Sequence, residues 1–114
     1  MKKPKKDFTV DPKVLDQLRA YRALDNPIRI QAFALIQKNP NSSFSELARG
    51  LSLQSGLVAY HIGVLKAAGL VDVRYARRGM ETSEYSLTER GSEIFQQLLK
   101  GRELGLEHRL EAEI

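Results

Sequence analysis

The sequence predicts a mainly helical α+β domain with one small β-hairpin. Apolar residues recur at helical spacing along most of the chain, and this pattern changes once to strict alternation. Proline and small polar residues stand where helices would begin. A length of 114 residues suits one domain with its own core. We therefore expect the element order α-α-α-α-β-β-α.

The first two helices are predicted from proline-containing start signals. Asp11-Pro12 begins a helix over about 12–24, and Asp25-Asn26-Pro27 begins a second helix that stops at Asn39-Pro40. Residues 39–42 then read as a short polar loop.

Two shorter helices follow, joined by a tight turn. Ser43 and Glu46 match a capping box, which begins the third helix. Only 52–54 separate it from a fourth helix that starts at about Ser55 and ends at Gly69. Two short helices joined so closely make a helix-turn-helix.

The fourth helix has two different faces. One is apolar and the other is small or mildly polar. The inward side comprises Val58, Ile62 and Leu65 with His61 and Ala68 beside them, and the outward side comprises Gly56, Ala59, Tyr60 and Gly63.

A hairpin and a last helix complete the predicted domain. Residues 70–76 and 83–87 read as its strands, and Thr88 caps the last helix. Gly101 and Gly105 weaken a continuation of that helix by about 1 kcal/mol each relative to alanine. Either the helix breaks there or another helix packs closely on it.

Composition excludes several classes of function. The chain has no cysteine, which rules out disulfides and thiolate chemistry and suits a cytosolic protein. Its basic start lacks the apolar segment that export requires, and the longest helical apolar run, 32–36, is too short to cross a membrane. No arrangement of nucleophile, base and acid or phosphate-binding glycine loop is present, so we predict neither an enzyme nor a cofactor.

Positive charge is concentrated in two places. Four lysines within residues 2–6 account for the whole formal charge of +4. Between residues 42 and 80 basic residues outnumber acidic ones, whereas glutamates prevail after Thr88. This predicts a polyanionic partner for the middle of the chain.

Four segments in this order resemble the ArsR-like family of winged helix-turn-helix transcriptional regulators. They are ALDNPIRI, FSELARGLSL, VAYHIGVLKAAGLV and a wing that contains RRG and ends with EYSLTERG. The resemblance covers about residues 23–91. It implies a cytoplasmic, homodimeric repressor that binds double-stranded DNA. Helix 55–68 would enter the major groove, and the wing at 74–82 would lie on the backbone or in the minor groove. The winged helix domain would span 11–100, with a basic flexible tail at 1–10 and a helical extension at 101–114 that contributes to the dimer.

Two sets of candidate residues follow from the resemblance, together with the outward face of the fourth helix and the apolar residues of the first and last helices. The DNA-binding set is Ser45, Gln54, Ser55, Gly56, Ala59, Tyr60, Gly63, Lys66, Arg74, Arg77 and Arg78. The dimer set, drawn from the first and last helices, is Val14, Leu15, Leu18, Leu98, Leu99 and Leu106.

The chain departs from the family pattern at several positions. Many members have serine or threonine around the start of the recognition helix, where this chain has Gln54, Gly56, Leu57 and Ala59. Ser52 stands where the turn often has glycine. The cysteine motif of the metal-sensing branch is missing, which excludes cysteine-based metal sensing.

Other interpretations of the same residues stay open. The small face of the fourth helix also suits a protein partner, which would make the chain an interaction module in a transcription or repair assembly with only non-specific DNA binding. Arg77 and Arg78 also suit a solvated turn. His61 is expected to be a packed, hydrogen-bonded side chain, and His108 with nearby glutamates is a weak candidate for a metal ligand. No metal site is predicted, and neither the operator nor an effector can be read from the chain.

Overall fold

The computed structural model describes residues 9–75 and 83–99. Its helices are α1 (Pro12–Leu24), α2 (Pro27–Lys38), α3 (Phe44–Leu51), α4 (Ser55–Ala67) and α5 (Glu89–Leu99), and its strands are β1 (Ser42–Ser43), β2 (Val71–Tyr75) and β3 (Ser83–Leu87). This architecture confirms the predicted fold class and adds one strand. The wing tip and the extension predicted at 101–114 lie outside the described residues, as does most of the predicted tail.

The first two helices begin at the predicted caps. The side chain of Asp11 accepts a hydrogen bond of 2.9 Å from the backbone N–H of Lys13. The side-chain oxygen of Asn26 accepts from the N–H groups of Ile28 and Arg29 at 2.9 and 3.0 Å. Each cap satisfies N–H groups that have no partner within the helix. In the described part of the chain, every helix is too short or too polar to cross a lipid bilayer.

The prediction of a simple polar loop at 39–42 is wrong at its end, because Ser42 belongs to β1. Ser42 and Ser43 pair with Tyr85 and Glu84 of β3, which gives an antiparallel sheet of order β1-β3-β2. Ser42 is buried, and its hydroxyl donates to the carbonyl oxygen of Asn39 at 2.6 Å. A strand of two residues is too short to show the alternation by which strands are recognised.

The core lies where α2 and α4 meet, with α1, α5 and the sheet closing it. Phe33 of α2 is fully buried, and its ring lies 5.9 Å from that of Phe95 on α5. The largest fully buried side chains are Phe33, Ile36, Leu47, Leu65, Leu70 and Val58. Burying each large apolar side chain stabilises a fold by about 1.5–3 kcal/mol, so this cluster fixes the position of α4 in the domain.

Thr88 connects the end of α4, the hairpin and the start of α5. Its hydroxyl donates to the carbonyl oxygen of Gly69 at 2.7 Å and accepts from the N–H of Gly91 at 2.9 Å. Its own N–H donates to the carbonyl oxygen of Leu70 at 3.0 Å. The predicted cap is therefore confirmed. Gly69, with a φ of 79°, ends α4 in the left-handed conformation that glycine adopts readily.

Polar side chains join α1 to α5. The guanidinium of Arg90 donates to the carbonyl oxygen of Asp16 at 2.6 Å and lies 3.5 Å from its carboxylate. Gln17 donates to Gln97 at 3.3 Å. The ion pair is half-exposed and contributes little stability by itself, but together these bonds set how the first and last helices lie against each other.

Candidate nucleic-acid interface

The first helix of the helix-turn-helix, α3, begins with the predicted capping box. The hydroxyl of Ser43 accepts from the N–H of Glu46 at 3.1 Å, and the carboxylate of Glu46 accepts from the N–H of Ser43 at 2.9 Å. Leu47 is buried beneath this turn. The reciprocal bonds fix where α3 starts and therefore where its exposed side lies.

The turn between α3 and α4 contains a serine in a left-handed conformation. Ser52 has φ 57° and ψ 45°, and its N–H donates to the carbonyl oxygen of Arg49 at 3.2 Å. The N–H of Leu53 donates to the carbonyl oxygen of Ala48 at 3.3 Å. Ser52 thus takes the conformation for which glycine is preferred at such positions, with a steric cost that glycine would avoid.

The two faces of α4 are those predicted. Val58, Ile62 and Leu65 are buried, and His61 is buried beside them. The predicted outward set of Gly56, Ala59, Tyr60 and Gly63 is exposed. One side of α4 therefore completes the core, and the other is open to a partner.

The two glycines of α4 are not required by packing. A Cβ atom added to Gly56 or Gly63 would have no heavy atom within 4 Å among its neighbours. By contrast, a Cβ on Gly91 would collide with the carbonyl oxygen of Leu70. A glycine inside a helix costs about 1 kcal/mol relative to alanine, so Gly63 lowers stability without serving the fold. Such a residue is consistent with a surface that another molecule approaches closely.

Leu57 is an exposed apolar residue that the candidate set missed. Its side chain is 45% exposed, and that of Tyr60, one turn later, is 60% exposed. Sequence reasoning registered Leu57 only as a departure from the family pattern. Its spacing of three residues from Tyr60 on the outward face was the signal that would have included it.

His61 holds the buried side of α4 against α2. Its Nδ1 lies 3.4 Å from a guanidinium nitrogen of Arg29, whose Nε donates to the carbonyl oxygen of Ala23 at 2.6 Å. Burial and, to a smaller extent, the Arg29 charge lower the pKa of His61 below its usual value. The expectation of a packed, hydrogen-bonded histidine is confirmed. Sequence reasoning missed Arg29 because its partner lies 32 residues further along the chain.

The remaining DNA-binding candidates fall into three groups. Gln54, Ser55 and Lys66 lie at the ends of α4 and are exposed, and Gln54 makes no side-chain cap hydrogen bond to the helix. Ser45 is exposed on α3, and Arg74 is exposed on β2 opposite Glu84. Arg77 and Arg78 lie outside the described residues. The structure thus brings seven of the eleven candidates together on or beside α4.

The dimer candidates differ in exposure. Val14, Leu15 and Leu18 on α1 are 46%, 41% and 56% exposed. Leu98 and Leu99 on α5 are half-buried, and Leu98 packs on the core. Leu106 lies outside the described residues. An apolar strip on α1 is therefore open to a partner, whereas Leu98 is already used in part by the chain's own fold.

The sequence matches a family model that describes winged helix-turn-helix DNA-binding domains. The match covers residues 25–72, which include α2, β1, α3 and α4. A comparison with curated proteins finds no significant match.

Several solved structures have the same fold. Mb0332 from Mycobacterium bovis is a homodimeric winged helix-turn-helix DNA-binding domain described as a possible ArsR-family transcriptional regulator. It is 23% identical with a TM-score of 0.67, over 89% of this chain and 94% of that one. Reduced HlyU from Vibrio cholerae is 25% identical with a TM-score of 0.61, over 76% and 92%. FabT from Streptococcus pneumoniae, solved in complex with DNA, is 14% identical with a TM-score of 0.60, over 89% and 73%.

These comparisons agree with the geometry of the helix-turn-helix. The matched residues contain both of its helices, and the solved structures have the same fold around it. The chain therefore has the winged helix fold, and its residues 25–72 are similar to winged helix-turn-helix DNA-binding domains.

Proposed function

We propose that this protein is a homodimeric, sequence-specific transcriptional repressor of the ArsR-like type, acting in the cytoplasm. The observation that carries the proposal is the exposed, small-residue face of α4 within the span that matches DNA-binding domains. In this proposal, α4 enters the major groove and the wing lies on the backbone or in the minor groove.

The outward face of α4 suits close contact with base edges. Gly56, Ala59 and Gly63 allow the helix backbone to approach the floor of the groove, and Tyr60 adds a hydroxyl and an apolar ring. Because Gly56 and Gly63 have open space in place of a side chain, a partner surface can fill it without disturbing the fold.

Basic residues would supply most of the affinity. Lys66 and Arg74 are exposed and suited to phosphate contacts, and Arg77 and Arg78 are proposed for the wing. The lysines within residues 2–6 would add attraction that weakens as salt increases.

Two copies would join through α1 and the last helix. The exposed strip of Val14, Leu15 and Leu18 supports this arrangement, as does the homodimeric state of the similar Mb0332 domain. Two recognition helices would then face one side of the DNA about 34–36 Å apart, which predicts a pseudo-palindromic site.

The test is a fluorescence anisotropy titration of a duplex enriched from a random pool against a scrambled duplex, at several salt concentrations. We expect the enriched duplex to bind at least roughly 10³-fold more tightly, with affinity falling steeply as salt increases. Gly63→Leu should abolish the preference, because it adds bulk to the proposed contact surface. Ser92→Leu, which places the same side chain at an exposed position of α5, is the matched control.

Equal binding of both duplexes at about 10⁻⁴ to 10⁻⁶ M would contradict the proposal. If that weak binding also survived removal of Arg77 and Arg78, the outward face of α4 would be assigned to a protein partner.

A further inference from the structure

The recognition helix lacks the side chains that read most bases by hydrogen bonding. Between Ser55 and Ala67 the chain has no Arg, Asn, Gln, Asp or Glu. Arginine and lysine read guanine, asparagine and glutamine read adenine, and carboxylates read cytosine. Within α4 only Lys66 belongs to these types, and it lies in the last turn. Apart from the N-cap residue Gln54, sequence choice by this helix must therefore rest mainly on another kind of contact.

The helix instead presents two large apolar groups to its open side. Leu57 is 45% exposed and Tyr60 is 60% exposed, although α4 buries other apolar residues in full. The Tyr60 ring lies edge-on to the neighbouring His61 ring at 5.1 Å, which restrains its orientation. Leu57 and Tyr60 are spaced by one helical turn and flanked by Gly56, Ala59 and Gly63, none of which would shield them from a groove floor.

We propose that Leu57 and Tyr60 select thymine by packing against its C5-methyl group in the major groove. Among the four bases, thymine alone offers an apolar methyl at the major-groove edge. Two exposed apolar side chains on a helix without bidentate hydrogen-bonding groups match that feature in chemistry. The inference rests on the proposed function and adds the class of base pair that the helix distinguishes.

The test replaces individual thymines of the enriched duplex by deoxyuridine, which removes the methyl and keeps the base pairing. Affinities are measured by anisotropy at constant salt with the full chain. We expect deoxyuridine at one or two positions in each half-site to lower affinity about fourfold, the factor that corresponds to losing the burial of one methyl-sized group. At those positions 5-methylcytosine should bind better than cytosine.

Variants of α4 then assign each methyl to a side chain. Leu57→Ala or Tyr60→Ala should reduce the deoxyuridine penalty at its own position to less than about twofold and leave the other position unchanged, as expected for a coupled pair. Tyr60→Phe keeps the ring and should keep the penalty. Lys66→Ala is the matched control on the same helix. It should lower the affinity, and the dependence of that affinity on salt, to the same extent for the thymine and the deoxyuridine duplexes.

The outcomes separate this inference from the proposed function. If the protein prefers its enriched duplex but no deoxyuridine changes affinity by twofold, the thymine inference is wrong and sequence-specific regulation stands. The thymine inference is also wrong if the penalties persist in both alanine variants. If no duplex is preferred at all, both proposals fail together.

Discussion

Arg29 and His61 join α2 to α4 through a guanidinium nitrogen 3.4 Å from the imidazole Nδ1. Arg29 also donates to the carbonyl oxygen of Ala23 at the end of α1, so one side chain connects three helices. Since a guanidinium only donates hydrogen bonds, Nδ1 must accept, which requires neutral His61 with its proton on Nε2.

The first prediction is that stability decreases in mild acid because of His61. The folded-state pKa is lowered, so the unfolded chain binds more protons as pH falls from about 6.5, the ordinary histidine value, through that folded pKa. The contribution of neutral His61 is fully present above this window and lost below it. We expect urea unfolding to show a free energy that declines over the window, by at most about 1.4 kcal/mol per pH unit.

His61→Gln keeps an acceptor for Arg29 and removes the titration. The decline in stability between pH 6.5 and the folded pKa of His61 should therefore be shallower in this variant. An identical decline in both proteins would assign the effect to other groups.

A second prediction contrasts two glycines. Gly63→Ala should increase the free energy of unfolding by about 0.5–1 kcal/mol, because the added methyl meets no neighbour and the helix gains propensity. Gly91→Ala should lower it by about 1–3 kcal/mol, because the Leu70 carbonyl would have to move. Denaturant titrations of both variants check this. Reduced affinity of Gly63→Ala for the enriched duplex would show that a stabilising change obstructs the DNA contact, and unchanged affinity would argue against close approach there.

The third prediction concerns the turn of the helix-turn-helix. Ser52→Gly should stabilise the protein by about 0.5–1 kcal/mol in urea unfolding, because glycine takes a φ of 57° without the Cβ penalty. Ser92→Gly supplies the control within α5, where the same change should destabilise by a similar amount. Loss of stability in both variants would mean that the left-handed turn carries no measurable strain.

The fourth prediction tests the proposed dimer. Leu18→Glu introduces a charge into the exposed strip of α1 and should yield monomers by light scattering at micromolar concentration, with strongly reduced DNA affinity. Leu57→Glu makes the same change at an exposed position of α4. It should leave the dimer intact while impairing DNA binding. A wild-type protein that is already monomeric under these conditions would refute the dimer.

Local signals in the sequence were sufficient to predict most of the fold. Caps such as Asp11, Asn26 and Thr88 act on N–H groups two or three residues away, so their effect is visible in a few consecutive letters. The faces of α4 followed in the same way from helical periodicity. The strand at 42–43 escaped prediction because it exists only through pairing with Tyr85 and Glu84, far along the chain.

The candidate site was predicted less completely for the same reason. Seven candidates on or beside α4 could be named because helix position alone exposes them. Arg29 could not, since its role depends on His61 and on a carbonyl of another helix. Helical periodicity was sufficient to place Leu57 on the exposed side of α4. The family pattern marked the position only as one without serine or threonine.

The hydrogen bonds around Thr88 have a mechanical consequence for the proposed dimer on DNA. The end of α4, the strands and the start of α5 meet at this one hydroxyl and its backbone, so hydrogen bonds connect the helix that would read DNA directly to the helix that would hold a second copy. In such a dimer the distance between the two copies of α4 would be fixed. An operator with one base pair inserted between its half-sites, which separates them by about 3.4 Å more and rotates them, should then lose most of its affinity.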